Sequence, residues 1–313
     1  SVINASLVGL VDASRTMTDI DSIYGMRYGI EGFMQEEIID LAAEEAALLS
    51  SLREVPSSAL CSCRYKLSDE DLPKILSLLG KYNIRYLFLI GGNDTMYTLA
   101  RIESYCSKND YSLIGIGVPK TVDNDLYGTD HTPGYPSAAK YVALSVQQSG
   151  QLARDMQRVD SFVTHQTVGR DAGWLAASAA LAKFEKGDPP HLIYLPERPL
   201  SKDRFLGDVE NCMKQYGWVY IVCGEGIVWE DGRPVSASKQ SDNFANVEFG
   251  AMGGGSAAIN LHGLISSRFG MRGEFQITES LSMAAADRVT ERDREEAYNC
   301  GVEAMKLAGE GKS

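Results

Sequence analysis

Apolar residues fall into two rhythms along the chain. Short dense runs at residues 85–90, 112–118, 161–168, 191–195 and 218–223 have the length and composition of buried strands. Helical spacing fills the segments between them. It is clearest over residues 68–80, where Leu72, Ile75, Leu76 and Leu79 form an i, i+3, i+4, i+7 stripe, Ser68 and Asp71 resemble a capping box, and Gly80 ends the pattern. The opening residues 1–11 carry apolar positions at Val2, Ala5, Leu7, Val8 and Val11 that also suit a helix, and residues 36–52 read as helix from their Glu, Ala, Leu and Ile content. Further helices are predicted over 96–106, 174–184, 202–216, 257–268 and the charge-paired tail from Glu291.

Strand and helix alternate, which predicts right-handed crossovers and parallel sheets, an α/β fold. Residues 128–140 are turn-rich before becoming helical, and the domain change is placed near there. Residues 274–277 read as a strand that returns the chain to its first domain, so that 1–134 with 276–313 form one domain and 135–275 the other. The polar, glycine-rich stretch 231–255, with Gly253, Gly254 and Gly255, reads as a flexible connector.

In open α/β sheets ligands bind outside the carboxyl ends of the strands, so the loops that follow the runs carry the chemistry. After residues 85–90 comes Gly91-Gly92-Asn93-Asp94-Thr95, opening a helix. Two glycines let backbone approach a ligand, and amides at a helix start face an anion. Asp94 sets a negative charge there, which makes sense if it excludes part of a larger ligand or holds a metal. After residues 112–118 comes Pro119-Lys120-Thr121-Val122-Asp123-Asn124-Asp125. In an extended loop Asp123 and Asp125 point the same way, as proton acceptor and orienter, with Lys120 holding them ionised. Turn chemistry alone allows a second reading of each loop, a tight Gly-Gly turn and a solvated Asx turn. His131, one of four histidines, reads as a hydrogen-bonded loop residue.

At 313 residues and 44% hydrophobic content the chain can bury two cores. A net charge of -12 excludes nucleic acid as the expected partner. Six cysteines, at positions 61, 63, 106, 212, 223 and 300, lack zinc spacing and read as free thiols of a reducing compartment. No apolar run approaches the roughly 18 residues of a membrane span, so the expected location is the cytoplasm.

The two loops together with Val168-Gly169-Arg170 resemble the phosphofructokinase family, over nearly the whole chain. The resemblance implies two Rossmann-like three-layer domains with an active site in the cleft between them. It implies that Gly91, Gly92, Asn93 and Asp94 bind the phosphoryl donor, joined by Arg64 at the end of the loop Ala59-Leu60-Cys61-Ser62-Cys63-Arg64. Cys61 stands where the family usually has glycine, and Arg64 taken alone reads as a surface arginine. Asp123 would take the proton of the attacking hydroxyl, Lys120 and Arg170 would neutralise the transferred group, and Thr121 would orient it. Val168 and Gly169 would hold the sugar phosphate, Glu225 would hydrogen-bond the sugar hydroxyls, and Mg²⁺ would sit near Asn93 and Asp125. An Asp at position 94 and a Lys at 120 are similar to the pyrophosphate-dependent branch, which implies pyrophosphate and fructose 6-phosphate as substrates and a homodimer or homotetramer as the assembly.

Three departures keep other readings open. No strand and Gly-Gly loop precede the first helix, where the family has them. After the strand at 274–277 the chain reads Glu279-Ser280-Leu281-Ser282-Met283-Ala284, where the family carries an Arg for the sugar phosphate, and Ser161 lies near another position where many members have Arg. Alternatives are a different acceptor, an ATP-dependent enzyme, or a catalytically weak regulatory subunit. A lipid or dinucleotide kinase would share the Gly-Gly loop but gives no reason for the other two motifs.

Overall fold

A computed structural model describes residues 2–18, 20–236 and 255–313. The chain divides into two compact units, the first comprising Ser1–Thr121, Leu126–Gly134 and Val289–Ser313, the second Val122–Asp125 and Tyr135–Arg288.

The first unit opens with α1 (Ile3–Ser14). A short antiparallel pair, β1 (Tyr24–Met26) and β2 (Ile38–Asp40), brackets α2 (Gly29–Met34), and α3 (Ala46–Leu52) follows. The single helix predicted over 36–52 is therefore two elements. Glu36 has φ 59°, which breaks a helix, and Ile38–Asp40 pairs with Tyr24–Met26 instead, a tertiary contact overriding local propensity. α4 (Leu72–Lys81) begins later than the pattern predicts. The Ser68 amide and hydroxyl both donate to the Asp71 carboxylate at 2.7 Å, one half of a capping box. Leu78 rather than Leu76 completes the buried stripe, and the left-handed turn falls at Asn83 rather than Gly80.

β3 (Tyr86–Gly91), α5 (Asn93–Lys108) and β4 (Ile114–Pro119) form a parallel β-α-β unit, with Tyr86 opposite Ile114 and Gly91 opposite Pro119. Leu87 and Leu89 face α4 and α5 in a core with Ile75, Leu79 and Ile102. The glycines of β4 have a packing reason: a Cβ at Gly117 would lie 2.0 Å from Met96 Sδ and one at Gly115 3.0 Å from Leu99 Cδ1. They let α5 lie directly on the strand.

The second unit carries α6 (Tyr135–Met156), β5 (Phe162–Thr167), α7 (Trp174–Ser178) continued by a 3₁₀ turn (Ala179–Ala182), β6 (Leu192–Tyr194), α8 (Lys202–Tyr216), β7 (Val219–Gly224), α9 (Ala257–Phe269) and β8 (Gly273–Ile277). Among the described residues its four strands are parallel in the order β6-β7-β5-β8. Alternate residues of β5 and β7 feed two cores, Val163, Tyr220 and Val222 against α6 and α7, Phe162, Val219 and Ile221 against α8 and α9. The sheet is thus sandwiched between helices. β6 is half-buried rather than the buried strand the sequence predicts, consistent with its place at the sheet edge. β8 pairs with β5, so it completes the second unit instead of returning the chain to the first. The predicted connector at Gly253 and Gly254 lies outside the described residues.

Short 3₁₀ turns over Glu279–Met283 and Ala286–Arg288 lead to α10 (Glu291–Gly309), which belongs to the first unit. It packs on α1 at glycines: a Cβ at Gly301 would lie 2.1 Å from the Ser6 carbonyl, and one at Gly9 2.1 Å from that of Tyr298. Leu10, Ile116, Val118, Ala304 and Met305 share a core beneath them, giving the first unit its helix, sheet, helix layering.

Candidate active site

In the first unit, β3 and β4 end in register, so the loops that follow them leave the sheet side by side. Gly91 has no room for a side chain, since a Cβ would meet Thr95 Oγ1 at 2.1 Å. Asn93 begins α5, and Asn93 and Asp94 are exposed on its first turn, whose Thr95 and Met96 amides donate to the Gly92 carbonyl at 3.0 and 3.1 Å. The Lys120 amide donates to the Gly91 carbonyl at 3.0 Å, and a Cβ on Gly92 would sit 3.7 Å from the Lys120 carbonyl. Gly91, Gly92, Asn93 and Asp94 are therefore placed together with Lys120 and Thr121. Arg64 is exposed at the end of a loop in which Cys61 takes φ 61°, a left-handed conformation that glycine adopts without strain.

The second unit holds the remaining candidates. Asn124 has φ 59°, so the loop is not the extended strand that would align Asp123 with Asp125: Asp123 is half-buried and Asp125 exposed. Val168, Gly169 and Arg170 follow β5 in a tight turn, Gly169 at φ 145° and Arg170 at φ 46°. A Cβ on Gly226 would strike the Arg170 carbonyl at 2.0 Å, so the turn after β7 must be glycine there. Between the two turns sits Glu225. Its Oε1 accepts from the amides of both Gly169 and Arg170 at 3.0 Å, and its own amide donates to the Thr167 carbonyl at 3.0 Å. Glu225 is 2% exposed, and burial pushes its carboxyl up to about 7, with Glu279 and Asp123 adding to the rise and the two amides opposing it. One of its oxygens is thus engaged by backbone, which the sequence did not indicate.

Further polar groups, with no motif of their own in the sequence, accompany these loops. Gln166 Oε1 accepts from Ser256 Oγ at 2.9 Å and Ala258 N at 3.1 Å, while its Nε2 donates to Glu279. In the first unit Thr132 Oγ1 donates to the Thr121 carbonyl at 2.7 Å, the Thr121 amide donates to the Pro133 carbonyl at 3.2 Å, and the Gly134 amide donates to Asp293 Oδ1 at 2.8 Å. Thr132 and Asp293 are both fully buried. A signal for Asp293 did exist: Thr290 and Asp293 have capping spacing, and Thr290 Oγ1 accepts from the Asp293 amide at 3.2 Å. His131 is the hydrogen-bonded loop residue expected, with Nε2 2.7 Å from Glu296 Oε2.

The phosphofructokinase family model matches residues 1–308. The chain belongs to the phosphofructokinase family. A pyrophosphate–fructose 6-phosphate 1-phosphotransferase from Halomonas elongata is 35% identical over 320 residues, covering 100% of this chain and 75% of that protein. The crystal structure of a pyrophosphate-dependent phosphofructokinase from Nitrosospira multiformis aligns with a TM-score of 0.87 at 32% identity, over 100% of this chain and 74% of that one. A sulfofructose kinase from Alkalicoccus urumqiensis is 37% identical over 227 residues, covering 72% of this chain and 58% of that protein. The phosphofructokinase motifs thus lie on the loops where the α/β sheets end.

Proposed function

We propose that this phosphofructokinase transfers a phosphoryl group from pyrophosphate to the 1-hydroxyl of fructose 6-phosphate, giving fructose 1,6-bisphosphate and phosphate. The observation that carries the reading is similarity to enzymes of that name over the whole of this chain, 35% identity with the Halomonas elongata protein, together with Asp94 on the first turn of α5 and Lys120 tied to Gly91.

Phosphoryl transfer asks a protein for positioning and charge neutralisation more than covalent chemistry. In this reading the α5 amides and Gly91-Gly92 take the donor, and the exposed Asp94 carboxylate repels the additional phosphate of a nucleotide. Lys120 neutralises charge on the transferred group, and Thr121 orients it. Asp123 removes the proton from the attacking hydroxyl. Arg170, in the turn braced by Glu225, shares with Lys120 the role of neutralising that charge, while Val168 and Gly169 take the sugar phosphate.

Among the described residues no group of three or more His, Cys, Asp or Glu is gathered to hold a metal. Mg²⁺ delivered on pyrophosphate needs about one or two protein oxygens, because phosphates and waters fill its other positions. The Asp125 carboxylate and the Asn93 amide oxygen, one in each unit, are each a donor of that hard type. The ion would neutralise phosphate charge when bound. We further assign the enzyme to the cytoplasm as a homodimer or homotetramer, a setting consistent with its six free cysteines. Among the described residues no helix is long and apolar enough to cross a membrane.

The test is a coupled assay of purified protein with pyrophosphate against a panel of acceptors, with fructose 6-phosphate expected to be turned over best. A second acceptor reading comes from the 37% identity to a sulfofructose kinase and the lack of a cation in Glu279–Ala284: a sugar with a different anionic group in place of the phosphate. Sulfofructose in the panel separates the two.

A further inference from the structure

We propose that Thr132 and Asp293 are positioning residues, which hold the Lys120-Thr121 backbone in place for phosphoryl transfer. The inference rests on the proposed function for its kinetic part and on geometry alone for the rest.

Lys120 and Thr121 follow β4 and are anchored on several sides within the first unit. The Lys120 amide is fixed to Gly91, the Thr121 amide to the Pro133 carbonyl, and the Thr121 carbonyl to the Thr132 hydroxyl. Residues 121 and 134 also form a parallel bridge, so the two stretches run alongside each other. The second stretch is itself pinned from the far end of the sequence. Gly134, at φ 107°, donates its amide to Asp293 on the first turn of α10, and His131 contacts Glu296 one turn further on. α10 in turn sits on α1 and on β4 through Ile116, Val118, Ala304 and Met305. A chain of contacts therefore runs from the packed helix pair, through Asp293, Gly134 and Thr132, to the backbone beside Lys120.

Two features argue against a merely space-filling role. Thr132 and Asp293 are polar yet fully buried, and such groups are costly unless their hydrogen bonds matter to the fold around them. Both point their oxygen atoms at backbone of one loop, where apolar residues would have served packing alone. Neither residue reaches the reactants in this scheme: each acts through Thr121.

The experiment uses the full chain and four variants, Thr132→Val, Thr132→Ser, Asp293→Ala and Asp293→Asn. Valine keeps the shape of threonine without the hydroxyl, and serine keeps the hydroxyl. Asparagine keeps an oxygen for the Gly134 amide, and alanine does not. With pyrophosphate and fructose 6-phosphate, T132V and D293A should lose about tenfold or more in kcat with little change in KM, since a small misplacement of a catalytic loop is costly to the chemical step. T132S and D293N should recover most of the loss. Hydrogen exchange measured by mass spectrometry should rise over residues 119–134 in T132V and D293A and not in the conservative pair. Equal losses in T132V and T132S, or a folded D293A with wild-type kcat and exchange, would overturn the proposal. If D293A fails to fold, the threonine pair decides. If the wild type transfers nothing from pyrophosphate, the functional reading falls, while the exchange data still decide whether the clamp exists.

Discussion

Glu225 offers the most quantitative test of the geometry. Its carboxyl has an ordinary value of 4.5 and is pushed up to about 7 by burial. An acid whose value is raised on folding binds its proton more tightly in the folded state. Its contribution to stability is therefore fully present below the unfolded value and is lost as pH rises through about 7. At about 1.4 kcal/mol per pH unit, the gap between 4.5 and about 7 corresponds to ~3 kcal/mol of stability lost between pH 4.5 and pH 9. In Glu225→Gln the side chain stays neutral at every pH and keeps a carbonyl oxygen for the Gly169 and Arg170 amides. The melting temperature of E225Q minus that of wild type should thus climb with pH. At the usual unfolding entropy per residue, ~3 kcal/mol is about 5 °C if both units melt together, and roughly twice that if the second melts alone. Scanning calorimetry in steps from pH 5 to pH 9 reads this difference, and other titrating groups cancel in it. A flat difference across that range would refute the claim that Glu225 is buried against the Gly169-Arg170 turn.

Other consequences are simpler. His131 is raised above its ordinary 6.5, mainly by its hydrogen bond to Glu296, so the stability it contributes is fully present below pH 6.5 and fades as pH rises through the higher folded value. The melting difference between wild type and His131→Ala should accordingly be larger at pH 6 than at pH 9. Gly301→Ala places a methyl group 2.1 Å from the Ser6 carbonyl and should cost about 1–3 kcal/mol in denaturant unfolding by forcing α10 off α1; Gly263→Ala, where nothing lies within 4 Å, should not destabilise. The double variant Asp94→Gly with Lys120→Gly should raise the ratio of ATP to pyrophosphate turnover, and an unchanged ratio would remove these residues as the source of donor choice.

Local physics made part of this fold legible. α8 spans Lys202–Tyr216 as expected, because Ser201 caps its start and Gly217 takes the left-handed turn at its end. The buried runs of β5 and β7 show in sequence because both faces of that sheet are covered. β2 was hidden, since Ile38–Asp40 has no period of its own and is a strand by virtue of pairing with β1. The same contrast holds at the site. That the Gly91 and Lys120 loops leave the sheet together follows from a β-α-β unit, and so was readable. The bond from Gly134 to Asp293 joins residues 159 positions apart, and the capping spacing of Thr290 and Asp293 marks a helix start without pointing to Gly134. Glu225 was identified as a residue, but its engagement with backbone amides depends on the left-handed turn at Arg170, which only the folded chain displays.

The phosphoryl donor is read most directly from kcat/KM of the purified wild-type protein for pyrophosphate and for ATP, with fructose 6-phosphate and Mg²⁺ saturating. Strong preference for pyrophosphate, with production of fructose 1,6-bisphosphate and phosphate, is the predicted result. Comparable use of ATP would contradict the account.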